Sequence, residues 1–169
     1  MATPGLKTTS STIAIGFGVQ ETAANTFTQE SVDLNLSPLD REVFVVMAID
    51  MDVASPDNVV NTDTAVSSSL TTTSQTAVQT LEDSNCLSRK ELSIRANAVN
   101  AVSFETGSIE SPPSLLPYIG IIATNDFFIQ VKGTSNAGVK SLRGKLYGYR
   151  ARASADIYAA LVQSEVLSA

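Results

Sequence analysis

Histidine and tryptophan are absent from the sequence, cysteine occurs once, at Cys86, and only 17% of the residues are charged. Without histidine the chain lacks the commonest general base and the commonest metal ligand. Ser-His-Asp and Cys-His catalysis and the usual structural zinc sites are therefore excluded, and no enzymatic chemistry is expected. A lone cysteine cannot form an internal disulfide. Asn85 and Leu87 beside it offer nothing to depress its pKa, so Cys86 reads as an inert, partly buried thiol. No segment supplies the ~18 consecutive apolar residues that a membrane span requires. Met1–Ser11 carries Lys7 and no apolar stretch of the signal-peptide kind, so the expectation is a soluble protein with nothing that asks for secretion.

Lysine and arginine number 11 against 17 aspartates and glutamates, a net charge of -6 that disfavours free binding to nucleic acid or to an acidic membrane. With so few charges, Ser, Thr, Asn and Gln must cover much of the outside. Charge keeps monomers apart, and a weakly charged, hydroxyl-rich surface suits a chain packed against copies of itself. A length of 169 residues fits one domain. At that size a core buries roughly 70% of the unfolded chain's surface without staples.

Residues Met1–Ser11 hold turn formers and hydroxyls without apolar periodicity and read as an N-terminal arm, leaving 12–169 as the domain. The signal is then β. Ile13, Ile15, Phe17 and Val19 alternate with small residues, and Val32, Leu34 and Leu36 alternate with Ser31, Asp33 and Asn35. The strongest strand, Arg41–Asp52, places Val43, Val45, Met47, Ile49 and Met51 on one face and Phe44, Val46 and Ala48 on the other, which predicts a central position. Ala65–Leu81, rich in Ser and Thr, reads as a solvated or edge strand. Arg89–Ala101 suits a strand with a slip or a short helix, and strand is preferred. Tyr118–Ala123 and Phe127–Val131 flank a turn-like Thr124-Asn125-Asp126, as in a hairpin or a bulge. Ser141–Ala153 is a last strand, and Ser154 caps a short helix with Ile157, Leu161 and Val162 on one face. About eight or nine strands and one helix predict an all-β, single-domain sandwich.

Two groups of residues invite a chemical reading. Asp50 and Asp52 project from one face of a strand end, with Asp57 and Asp63 in the following loop. Oxygen ligands gathered this way could take Ca²⁺, giving Asp50, Asp52 and Asp57 as a candidate metal set; the alternative is a solvated strand end. Charge is also split along the chain. Acids dominate Met1–Val66, whereas Lys132, Lys140, Arg143, Lys145, Arg150 and Arg152 occur with no acid between 132 and 152. Lys140, Arg143, Lys145, Arg150 and Arg152 are therefore candidates for a subunit contact with an acidic neighbour or for a genome-facing surface, where Tyr147 and Tyr149 could stack on bases. Gly16-Phe17-Gly18 lies within a strand pattern and is not a phosphate loop.

The stretches Leu39–Val46, Tyr118–Phe128 and Gly144–Ala153 resemble a group of virion structural proteins, capsid proteins, that recur in sequences of uncultured marine viruses and phages. The resemblance spans about Thr12 to Glu165 and implies a shell-building subunit of a phage or archaeal virus, with no catalytic or binding residues carried over. A sandwich of this size with a terminal arm is what a single jelly-roll capsid subunit looks like. The expectation is a jelly-roll-like β-sandwich that self-assembles into a large homo-oligomer. Other virion proteins are possible partners, with nucleic acid only at an inner shell face, and the site of assembly is the host cytoplasm. The alternative role is a decoration, fibre or spike protein that binds a host-surface glycan.

Overall fold

Strand β10 (Ser141–Ala153) is the longest strand, and the first sheet is built around it. The computed structural model describes residues 4–168. On one edge of β10 lie β1 (Leu6–Thr8) and β2 (Ile13–Gln20); on the other lies β4 (Glu42–Val53), followed by β8 (Gly120–Ile122). The second sheet runs in the order β3 (Thr28–Asp33), β9 (Asp126–Thr134), β5 (Thr64–Thr71), β6 (Cys86–Ala96), β7 (Ala101–Gly107). All pairings are antiparallel. Helix α1 (Ala155–Leu167) closes the chain, and the Ser154 hydroxyl accepts from the Ile157 N–H at its start.

The pairings are nested. β2 pairs with β10 and β4 with β8 in the first sheet, while β3 pairs with β9 and β5 with β6 in the second. One long antiparallel ribbon has thus been folded over so that successive rungs alternate between two layers, which is a jelly roll. β7 is an added strand outside the nest, and β1 extends the β2 edge.

Between the sheets lie Phe17, Val19, Leu34, Leu36, Phe44, Val46, Ile49, Met51, Leu70, Ile122, Phe127, Ile129, Leu142 and Leu146, all buried. Phe17 and Phe127 meet edge to face, with centroids 5.9 Å apart. Each large side chain buried this way stabilises by roughly 1.5–3 kcal/mol. A smaller cluster lies outside the first sheet, where Ile157, Tyr158, Leu161 and Val162 of α1 cover Val43, Val45, Ala151 and Ala153. β4 is therefore covered on both faces over its first half, as the unbroken apolar run requires.

Simple alternation along β4 fails at one residue. The register with β10 slips between Tyr147 and Gly148, leaving Met47 without a partner. Val43 and Val45 face the helix, but beyond this bulge Ile49, Met51 and Val53 join Phe44 and Val46 in the main core. The expectation of one continuous Val43-to-Met51 face is corrected accordingly.

Three further expectations change. β5, expected to be a solvated or edge strand, is central: Ser69 and Thr71 are fully buried because Gln130 bonds to both hydroxyls and Gln79 N–H donates to Ser69 Oγ. Tyr118–Val131 is no hairpin, since β8 and β9 belong to different sheets. The stretch expected to be an arm contributes a strand. Met1–Thr3 lie outside the described residues, but Leu6–Thr8 pair with β10, and Thr9 N–H donates to Arg150 O at 2.8 Å. A ladder of three residues leaves no periodic trace in side chains.

Candidate functional site

Lys140 and the basic residues of β10 meet the acids of the first half of the chain inside one molecule. Lys140 Nζ lies 2.7 Å from Asp57 Oδ1, Arg150 Nη1 lies 3.4 Å from Glu42 Oε2, and Arg152 Nη2 lies 3.3 Å from Asp40 Oδ1. Along the β10–β4 ladder, Arg143 stands opposite Asp52 and Lys145 opposite Asp50. The charge asymmetry is therefore matched within the chain, by strand pairing for Arg143 and Lys145 and by loop and turn contacts for Lys140 and Arg152, so it requires no acidic neighbour. Arg150 also donates to the carbonyls of Leu34 (2.8 Å) and Asn35 (3.0 Å), tying β10 to the β3–β4 connection.

Lys140 belongs to a polar clamp at one end of the sandwich. Its ammonium bonds to Asp57 and Ser55 O, while Asp57 also accepts from Ala137 N–H. The Lys140 hydrogen bond, followed by that from Ala137, holds the Asp57 carboxyl below its usual range. Buried Glu21 accepts from the N–H groups of Gly133 (2.6 Å) and Lys140 (2.8 Å). Asn136 exchanges hydrogen bonds with Asn25 and accepts from Asp57 N–H. Three connections, β2–β3, β4–β5 and β9–β10, are locked together. Sequence reasoning missed Glu21 and Asn136; both sit in turn-rich segments where polarity is the default and burial leaves no mark.

Asp50, Asp52 and Asp57 do not converge. The first two lie opposite Lys145 and Arg143, the third is engaged by Lys140, and no group of three acidic or other metal-ligating side chains gathers among the described residues. The Ca²⁺ candidate is corrected on that ground: each carboxylate has a cation beside or across from it.

Arg143, Lys145, Asp50 and Asp52 do share a surface. With Tyr147 they rim an open trough of about 680 Å3 on the outer face of the first sheet, floored by Gly16, Gly18 and Gly144. Gly16 leaves the floor empty, with nothing within 4 Å of where a Cβ would stand. Tyr149, expected beside Tyr147, packs instead with the helix cluster. The trough is open to solvent and carries both signs of charge.

Two groups stand out among the exposed apolar side chains, which also include Leu39, Val60 and Val99. The 108–117 crossover exposes Ile109, Leu115 and Leu116, the last two beside Met47 and Tyr149. Strand β7 is exposed at all seven residues, including Val102 and Phe104. Sequence reading ended a strand at Ala101 and missed β7, because the Asn97–Asn100 turn joins it to β6 with no glycine or proline to mark the reversal.

No known family profile matches the chain, and no curated protein does. Among solved structures, a chain titled Desmodium yellow mottle tymovirus is similar over 92% of this chain and 89% of that one, at 14% identity and a TM-score of 0.31. A likeness at that level leaves the fold assignment resting on the nested strand order. That order makes the chain an all-β jelly-roll sandwich with one short C-terminal helix.

Proposed function

We propose that the chain is a structural subunit that associates with copies of itself to build the shell of a virus particle, with no catalytic step. The observation that carries this reading is a jelly roll that leaves Val102, Phe104, Ile109, Leu115 and Leu116 in solvent at two separate places. Apolar surface in solvent favours association, and low charge does little to oppose it. The resemblance of Leu39–Val46, Tyr118–Phe128 and Gly144–Ala153 to virion structural proteins supports the viral setting. Light scattering and electron microscopy of the purified chain at neutral pH test it: particles or rings are expected. A clean monomer across a wide concentration range, with and without co-expressed virion proteins, overturns it.

A second reading rests on the trough. Its glycine floor, flanking Tyr147 and mixed Asp50, Asp52, Arg143 and Lys145 rim could receive a sugar on a decoration or spike protein. Glycan-array binding lost in Tyr147→Ala would favour it over shell formation.

A further inference from the structure

We propose that β7 pairs with β7 of a second copy, joining two five-stranded sheets into one across a two-fold axis at Ser103. The inference builds on the self-association proposed above and names one of its contacts. Edge strands are ordinarily blunted by proline, lysine, bulges or covering segments. β7 (Ala-Val-Ser-Phe-Glu-Thr-Gly) has no proline, lysine or arginine, pairs with β6 without a register shift, and is exposed along its whole length. Its one charge, Glu105, is already neutralised by Lys90 Nζ at 3.0 Å.

The backbone fixes which groups are free. Asn97 N–H donates to Asn100 O, and Ser108 N–H to Arg89 O, both at 2.9 Å. An antiparallel ladder alternates between hydrogen-bonded and open pairs. Between those two rungs, Val102, Phe104 and Thr106 direct their backbone groups to β6, so Ala101, Ser103 and Glu105 direct theirs outward. Antiparallel pairing of two copies about Ser103 lets Ser103 exchange both hydrogen bonds with its own counterpart, and Ala101 exchange both with Glu105 of the second copy. The intervening open pairs put Val102 against Phe104 of the second copy, where side chains come closest. Centring on Glu105 instead would set two carboxylates face to face, and centring on Ala101 would run past the strand's end into the Asn97–Asn100 turn. The Ser103-centred register is self-complementary, as a two-fold interface demands; its competitor, a two-fold at the open pair Phe104, would instead leave Ser103 and Glu105 equally offset from their own counterparts.

Cysteine scanning in the full chain tests this, since the native Cys86 is buried. In the proposed register the Ser103 Cα atoms of the two copies lie ~5.5 Å apart, within disulfide reach. The two Glu105 positions are offset by four residues, roughly 14 Å. Under mild oxidation Ser103→Cys should give at least ten-fold more cross-linked dimer than Glu105→Cys, and a mixture of Val102→Cys and Phe104→Cys chains should cross-link more than either alone. Equal or faster linking of Glu105→Cys overturns the register. Absence of Ser103→Cys cross-links in a sample that scatters as an assembly overturns the β7 contact and leaves self-association standing; a monomer at every concentration overturns both.

Discussion

Two carboxylates illustrate how neighbours decide a group's effect on stability. Burial raises the Glu165 carboxyl above its ordinary value of 4.5, although the N–H groups of Ala123 and Thr124 partly oppose this. A carboxyl with a raised folded pKa holds its proton more tightly when folded, so stability falls as pH climbs from about 4.5 through the folded value. Asp57 works in the opposite sense. Its pKa is lowered below 3.8, so its contribution is present above that pH and is lost as pH falls through the folded value. Glu165→Gln should flatten the first dependence in denaturant titrations. At neutral pH it should cost about 1–3 kcal/mol, because a single amide oxygen leaves one of the two backbone donors without an acceptor. Cys86 is pushed up to about 11, chiefly by burial, so a thiol reagent at pH 8 should label it only at the rate of unfolding. Fast labelling of the native protein would contradict the burial.

At the scale of elements, β10 depends on glycine where β4 and the core crowd it. A Cβ at Gly148 would meet the Val45 carbonyl and the Phe44 ring, and one at Gly144 would meet the Asp50 carbonyl and the Phe17 ring. Gly148→Ala should therefore destabilise by about 1–3 kcal/mol, through displaced backbone and strained rotamers. Gly16→Ala, on the open trough floor, should be neutral or stabilise by up to about 1 kcal/mol. Chemical denaturation of both variants checks the contrast. β2, β4, β10 and α1 were legible because each presents a long apolar pattern or a cap, as Ile13–Val19 and Ser154 show. The Met47 bulge was not, since one unpaired residue inverts a face without altering composition. β5 misled for a related reason: Ser69 and Thr71 look solvated until Gln130, sixty residues away in sequence, is placed against them. Of the candidate site, the individual charges were visible and their partners were not, because Arg143–Asp52 and Lys140–Asp57 are products of strand register and loop closure.

For the whole molecule, nesting means that few strands can be secured early. β2 pairs with β10 more than a hundred residues later, and among the described strands only β5–β6 and β6–β7 join sequence neighbours. Pairings of this range are slow to close, so refolding in stopped-flow dilution should fall in the millisecond-to-second range. A microsecond phase carrying the full amplitude would mean that the sheets form from local hairpins alone. The nesting also sets how the fold answers tension. Leu6 stands opposite Ala153, so the two outermost described segments leave the same end of the same ladder. A pull through residues 4 and 168 would first strip α1 from Val43 and Val45, then part the β1–β10 rungs singly from Leu6/Ala153 onward. Loaded along the strands from opposite ends of neighbouring rungs, the same ladders would have to slide together. Such a molecule yields readily when drawn out by its ends and resists when sheared along its strands.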